Sequence, residues 1–245
     1  MRLNGHLIKV DDLTARQRDE MYELMVQYYE NMNRSIFDSD LDEKHWIICC
    51  TDPKSGVIRG FSTQMLLNVE SEGGPVCALF SGDTIVDRMC WAQNSLAKVW
   101  GSFVLSLMDR FATEQFYWFL IAKGYKTYRF LPVFFHEFYP RYDERTPGWA
   151  SEVIATLGSH KYPREYDQDT GIIRALERGC SLRSNVAEIT DQRMKDPHVS
   201  FFADRNPGHA RGDEICCIAP LRRENFTRAA YRVIGTDQAM LAELL

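Results

Sequence analysis

The chain has 245 residues, 45% apolar and 26% charged, with 15 glycines and 9 prolines, a composition that excludes disordered and fibrous classes. Its net charge of -5 is uneven: residues 1–121 carry 11 basic against 17 acidic side chains, and residues 122–235 carry 18 against 15, with arginine supplying 14 of the 18. An arginine-rich half suits phosphate or carboxylate contact as well as a plain solvated surface.

The start, MRLNGHLIKVDDLT, meets two aspartates before any apolar run, so a cytoplasmic location is expected. The seven cysteines include two adjacent pairs, Cys49-Cys50 and Cys216-Cys217, without CxxC spacing; neither a disulfide framework nor a metal site is expected.

Leu3–Val10 reads as a strand, and Thr14 as the N-cap of an amphipathic helix over Ala15–Met32. The acidic stretch SIFDSDLDEK reads as a loop or lid. His45–Thr51 and Val57–Val69 read as strands around a turn at Asp52–Gly56. After a turn at Ser71–Pro75, Val76–Phe80 is the near-continuous apolar run of a central strand. Ser81-Gly82-Asp83 and a second extended piece, Thr84–Asp87, follow it, and a glycine there predicts a bulge or a close backbone approach.

Trp91–Ala112 carries an apolar stripe at helical spacing through Leu96, Trp100, Phe103 and Leu107. Phe116–Ala122 is seven apolar residues ending near a glycine, far short of the roughly 20 a membrane span needs, so it is predicted as a buried strand with no membrane partner. A helix bent by Pro132 is expected from Lys123. Tyr142–Gly148 is turn-rich, and 149–197 reads as helical and charged. His198–Ala203 and Ile215–Ile218 are predicted to form a hairpin, and Asn225–Ile234 a last basic helix.

This element order, above all a central strand with a glycine bulge followed by a long helix and an apolar strand, resembles the GNAT superfamily of N-acyltransferases. The resemblance implies an α/β fold whose mixed central sheet is flanked by helices. Its fourth and fifth strands, here Val76–Asp87 and Phe116–Ala122, would splay apart as a cleft. A helical insertion at 143–197 would precede the C-terminal hairpin in one domain spanning 1–245. The implied activity joins an activated acyl group to a small amine, drawing on acyl-CoA, an acyl carrier protein or an aminoacyl-tRNA. The family's pyrophosphate motif is Gln or Arg, two residues, Gly, one residue, Gly or Ala. In this chain Asp87-Arg88-Met89-Cys90-Trp91 occupies that place, with Trp91 where the first glycine belongs.

On the resemblance, Asp83 and Asp87 are candidate bases, and Tyr139 and Tyr142 candidate acids, with Tyr125 and Tyr128 as rivals. Ser81, Gly82, Arg88, Gln93, Lys98, Lys123, Lys126 and Arg129 are candidates for donor binding. The residues also bear plainer readings. Asp83 suits a turn carboxylate, Tyr139 a packing side chain, and Lys123, Lys126 and Arg129 a solvated helix face. His136 suits the edge of a core, and Cys90 at a helix start suits a nucleophile but has no paired histidine. A catalytically silent module that binds RNA, a carrier protein or a small ligand is the alternative to an enzyme.

Overall fold

The computed structural model describes residues 2–71, 73–111, 115–175, 179–184 and 186–234. In chain order the elements are β1 (Asn4–Lys9), α1 (Ala15–Tyr28), β2 (Tyr29–Glu30), α2 (Arg34–Asp42), β3 (Trp46–Thr51), β4 (Ile58–Ser71), β5 (Gly74–Val86), α3 (Ser95–Arg110) and β6 (Phe116–Ala122). There follow α4 (Tyr125–Tyr128), α5 (Phe130–Phe134), α6 (Gly148–Lys161), β7 (Tyr166–Asp167), β8 (Ile172–Ile173), β9 (Ser181–Leu182), α7 (Asp191–Met194), α8 (Pro197–Arg205), β10 (Glu214–Pro220) and α9 (Arg228–Ile234). Among the described residues, eight strands form a mixed sheet in the order β1-β3-β4-β5-β6-β10-β8-β7, and β2 pairs with β9 separately. Among these described strands only β5 and β6 run parallel; the other pairs of the main sheet are antiparallel. No described helix is long and apolar enough to cross a membrane.

The apolar run of β6 follows from its place. Trp118, Leu120 and Ala122 pack with α3 and α5 on one face, while Tyr117, Phe119 and Ile121 pack with α6 on the other. A strand covered on both faces has no polar side. The helix α1 is fixed by a capping box, with the Thr14 hydroxyl accepting from Gln17 N and the Gln17 side chain accepting from Thr14 N.

Several sequence expectations change. SIFDSDLDEK is no loop but most of helix α2: the Asn33 side chain accepts from Ile36 N, Phe37 and Leu41 bury one face, and Arg34 pairs with Asp38 at 2.7 Å one turn on. Helix α1 stops at Tyr28, where Tyr29 and Glu30 turn extended to pair with β9. The helix after Trp91 begins only at Ser95; its expected end, Ala112, lies outside the described residues, as do the last eleven residues. The 143–197 stretch is not wholly helical, since β7 and β8 extend the main sheet beyond β10. His198–Ala203 is not a hairpin strand but part of α8, started by Pro197 in its first turn and by the Asp196 carboxylate accepting from His198 N. Strand β10 pairs instead with β6 and β8.

The predicted bulge is present. Ser62 pairs with Thr84 and Gln64 with Ser81, so Thr63 of β4 faces two residues of β5, Gly82 and Asp83. The parallel ladder to β6 ends at Ser81–Leu120. Gly82 and Asp83 thus have no ladder partner on either side.

A chain of side-chain hydrogen bonds leads up to that point. Trp118 Nε1 donates to Ser81 Oγ (2.8 Å), Ser81 Oγ to Gln64 Oε1 (2.8 Å), and Gln64 Nε2 to Ser62 Oγ (2.7 Å), which is hydrogen-bonded to the Thr84 hydroxyl (2.7 Å). Ser81, Gln64 and Ser62 are buried. Replacing Ser81 by Ala leaves Trp118 and Gln64 each short of a partner, a loss of about 1–3 kcal/mol. Urea denaturation of Ser81→Ala against the parent protein measures it.

Candidate active site

Beyond the last rung the sheet opens onto a cleft of about 1170 Å³. Gly82–Val86 of β5 form one wall, and Ile121, Lys123 and Gly124 at the end of β6 another. Helices α1, α2, α3, α5 and α9 and the segments around Tyr162 and Cys180 close it.

Asp83 stands at the bulge, half-buried, and accepts no hydrogen bond from a described residue. Burial pushes its pKa up to about 6, Asp40 adds to the rise, and Lys123 and Lys44 oppose it. Lys44 is buried, held by Asp40 at 2.7 Å, and Lys161 approaches the same carboxylate at 3.8 Å. Burial disfavours the charge of Lys123, but Glu214 at 3.4 Å, with Cys180, Tyr29 and Asp83, outweighs it and holds the ammonium above its ordinary pKa.

Two phenols complete the group. Burial, reinforced by Asp83 and Glu214, raises the pKa of Tyr29, whose ring lies 5.6 Å from Lys123 Nζ. Burial likewise raises Tyr162, with Glu214, Asp40 and Asp83 contributing. Both therefore stay protonated at neutral pH. Beneath the bulge, Thr63 Oγ1 is buried with no hydrogen-bond partner among the described residues.

The cleft also reaches the start of α3, whose N-cap Asn94 makes no side-chain cap bond. Gln93, Asn94, Leu96 and Ala97 line the cleft there. Trp91 lines the cleft as well. Its Nε1 donates to Val86 O at 2.7 Å, and Lys126 Nζ sits 3.6 Å from the ring centroid while donating to Val186 O at 2.6 Å. Burial, with Arg88 and Arg193 nearby, lowers the pKa of Lys126.

The structure thus brings Gly82, Asp83, Gln93, Lys123, Lys126 and Arg129 to one cleft. Arg129 is paired there with Asp196. Other candidates fall elsewhere. The Ser81 hydroxyl is engaged in the buried chain, and Asp87 caps the turn Arg88–Cys90, accepting from Met89 N and pairing with Arg59 at 3.2 Å. Arg88 lies over the Trp91 ring, and Lys98 lines a second cavity beside Arg2 and Arg232. Tyr139 packs against Trp149 and reaches Glu144, Tyr142 is exposed against His198, and neither lines the cleft. Cys90 is buried away from the cleft lining, and its thiol is pushed up by burial.

Sequence reasoning missed Tyr29, Asp40, Lys44, Tyr162 and Glu214. Lys44 carried the one usable signal: a lysine four residues after Asp40, directly before a buried strand, is placed for an ion pair across one helical turn.

No family model matches the chain, and no curated protein matches its sequence. Among solved structures, the GNAT family N-acetyltransferase YhbS of Escherichia coli in complex with CoA is 14% identical over 53% of this chain and 69% of its own, with a TM-score of 0.38. The chain is similar in structure to GNAT N-acetyltransferases. A conserved protein of unknown function from Enterococcus faecalis V583, a probable N-acyltransferase, is 14% identical over 64% of this chain and 43% of its own, with a TM-score of 0.42. Saccharomyces cerevisiae N-myristoyltransferase with bound myristoyl-CoA is 11% identical over 49% of this chain and 31% of its own, with a TM-score of 0.36. The chain spans less than half the length of these last two.

Gly82 permits the bulge to pack as it does: a Cβ there would lie 2.7 Å from Thr63 Oγ1 and 3.2 Å from Lys44 Cε. Gly82→Ala is expected to cost about 1–3 kcal/mol by overpacking. Thermal unfolding reads the loss, and an unchanged midpoint contradicts this packing.

Proposed function

We propose that the chain is an acyltransferase that joins an activated acyl group to a small amine inside the cleft. The observation that carries this reading is Asp83, a carboxylate without a hydrogen-bond donor among the described residues, at a bulge that has no register partner on either neighbouring strand. In this reading β5 and β6 splay after Ser81 and Leu120, and the reacting carbonyl enters between them.

A pKa of about 6 leaves Asp83 mostly ionised at neutral pH yet able to take a proton from the attacking amine. The amine nitrogen bonds to the acyl carbon, and the bulge backbone, with Thr63 beneath it, offers donors to the oxyanion. The carbon–sulfur or carbon–oxygen bond to the carrier then breaks, and the leaving group takes a proton from Tyr162 or Tyr29. Transfer is direct, with no acyl-enzyme.

The carrier's phosphates meet the first turn of α3, where backbone N–H groups face an anion, with Lys126 beside it. Acyl-CoA, an acyl carrier protein and an aminoacyl-tRNA all present such phosphates. Trp91, filling the place of the motif's first glycine, favours the second reading, a catalytically silent module that binds such a carrier.

Incubation with acyl-CoAs, acyl carrier proteins and charged tRNAs, each with a panel of small amines, followed by mass spectrometry, is expected to give an amide. Retention of a carrier without product in any combination supports the silent module instead. Asp83→Asn is expected to lower kcat/KM about 10²–10⁴-fold. In the parent protein, kcat/KM is expected to rise with pH up to about 6 and then level off, because only ionised Asp83 accepts the proton.

A further inference from the structure

The cleft is large for a ligand site, and part of its lining is apolar. Ligand pockets for drug-sized molecules run to about 300–1,000 Å³, and this one reaches about 1170 Å³. Asp40, Asp83, Lys123, Glu165, Arg174 and Glu214 line part of it, and Lys126 and Arg129 line it as well. Another part of the lining is an apolar wall: Met25 from α1, Met32 before α2, Ile36 and Phe37 from α2, and Leu182 and Val186 from β9 and the segment after it, where Lys126 Nζ is held on the Val186 carbonyl. Met25, Phe37 and Val186 belong to one hydrophobic cluster with Ile85 of β5, and Met32 and Leu182 pack against it, so the wall begins two residues from Asp83.

Ile36 stands at the rim, 69% exposed, where a solvated helix face would ordinarily carry a polar residue. Trp91 and Val133 also line the cleft, and both stay more than a third exposed. Apolar side chains left open to water around one cavity mark a site that an apolar ligand covers. Methionines on the wall suit a flexible chain, because an unbranched thioether repacks around different shapes.

We propose that the acyl group accepted here is a medium or long hydrocarbon chain, which lies along the wall of Met25, Met32, Phe37, Leu182 and Val186 and emerges past Ile36. The inference rests on the acyl-transfer reading for its chemistry and on the wall alone for its ligand. The chain places its carbonyl at the bulge, leaving the charged groups around Asp83 for the amine. Filling the wall expels water from beside Asp83, so only a chain that fits completes the dry surroundings that a proton-accepting carboxylate uses.

The test measures binding before turnover. Acetyl-, hexanoyl-, octanoyl- and dodecanoyl-CoA, and the free carboxylic acids of the same lengths, are titrated into the full chain by calorimetry. Affinity is expected to tighten up to about fourfold per added methylene, the equivalent of ~0.8 kcal/mol per buried CH₂, until the wall is covered. Met32→Trp is expected to move that limit to a shorter chain. Ile36→Ser, at a position too exposed to disturb folding, is expected to flatten the gain for the longest chains. Equal affinity for two and twelve carbons in both series overturns the proposal. Chain-length-dependent binding with no amide from any donor sinks the acyl-transfer reading and keeps the apolar site. Amide formation from acetyl donors alone does the reverse.

Discussion

The buried hydrogen-bond chain from Trp118 through Ser81, Gln64 and Ser62 to Thr84 is the constraint on which the site depends. Polar groups in a sheet interior are costly unless every one is paired. Here each member satisfies the next across β6, β5 and β4, so the three strands stay in register up to Ser81. The surplus residue of β5 is then forced out at Gly82 and Asp83, between two fixed pairings.

That geometry sets the electrostatics of the cleft. Asp83 leaves the ladder beside buried cations, with Lys44 held by Asp40 and Lys123 by Glu214, so the carboxylate meets cations already partnered elsewhere. Burial then dominates, and its pKa climbs instead of falling. Tyr29 and Tyr162 bring hydroxyl groups to the same carboxylates from opposite parts of the chain, one following α1 and the other following α6. Acidic, basic and phenolic groups thus surround one unpaired segment of backbone.

Much of this was legible in the amino-acid sequence, and the reasons differ by element. Phe116–Ala122 announced itself because a strand covered on both faces has no polar side, and Gly82 announced the bulge because glycine is rare inside a strand without a cause. Helix α2 stayed hidden because its acidic composition resembles a loop, while the two side chains that bury it, Phe37 and Leu41, stand only one turn apart. Helix α8 was hidden by local alternation, although Asp196-Pro197 is a helix-start signal. Of the residues lining the cleft, Asp83 and Lys123 were readable from their place beside the two central strands. Tyr162 and Glu214 were not, since each comes from a distant segment and no local pattern marks a side chain that only the tertiary fold brings inward.

The most direct test of the site is the titration of the Asp83 carboxyl carbon by NMR in protein labelled at aspartate, assigned with Asp83→Asn. A carboxylate at an unpaired bulge among buried groups is expected to show a midpoint near pH 6. A midpoint in the ordinary aspartate range, near about 4, would contradict the burial of that carboxylate and with it the base on which the proposed chemistry turns.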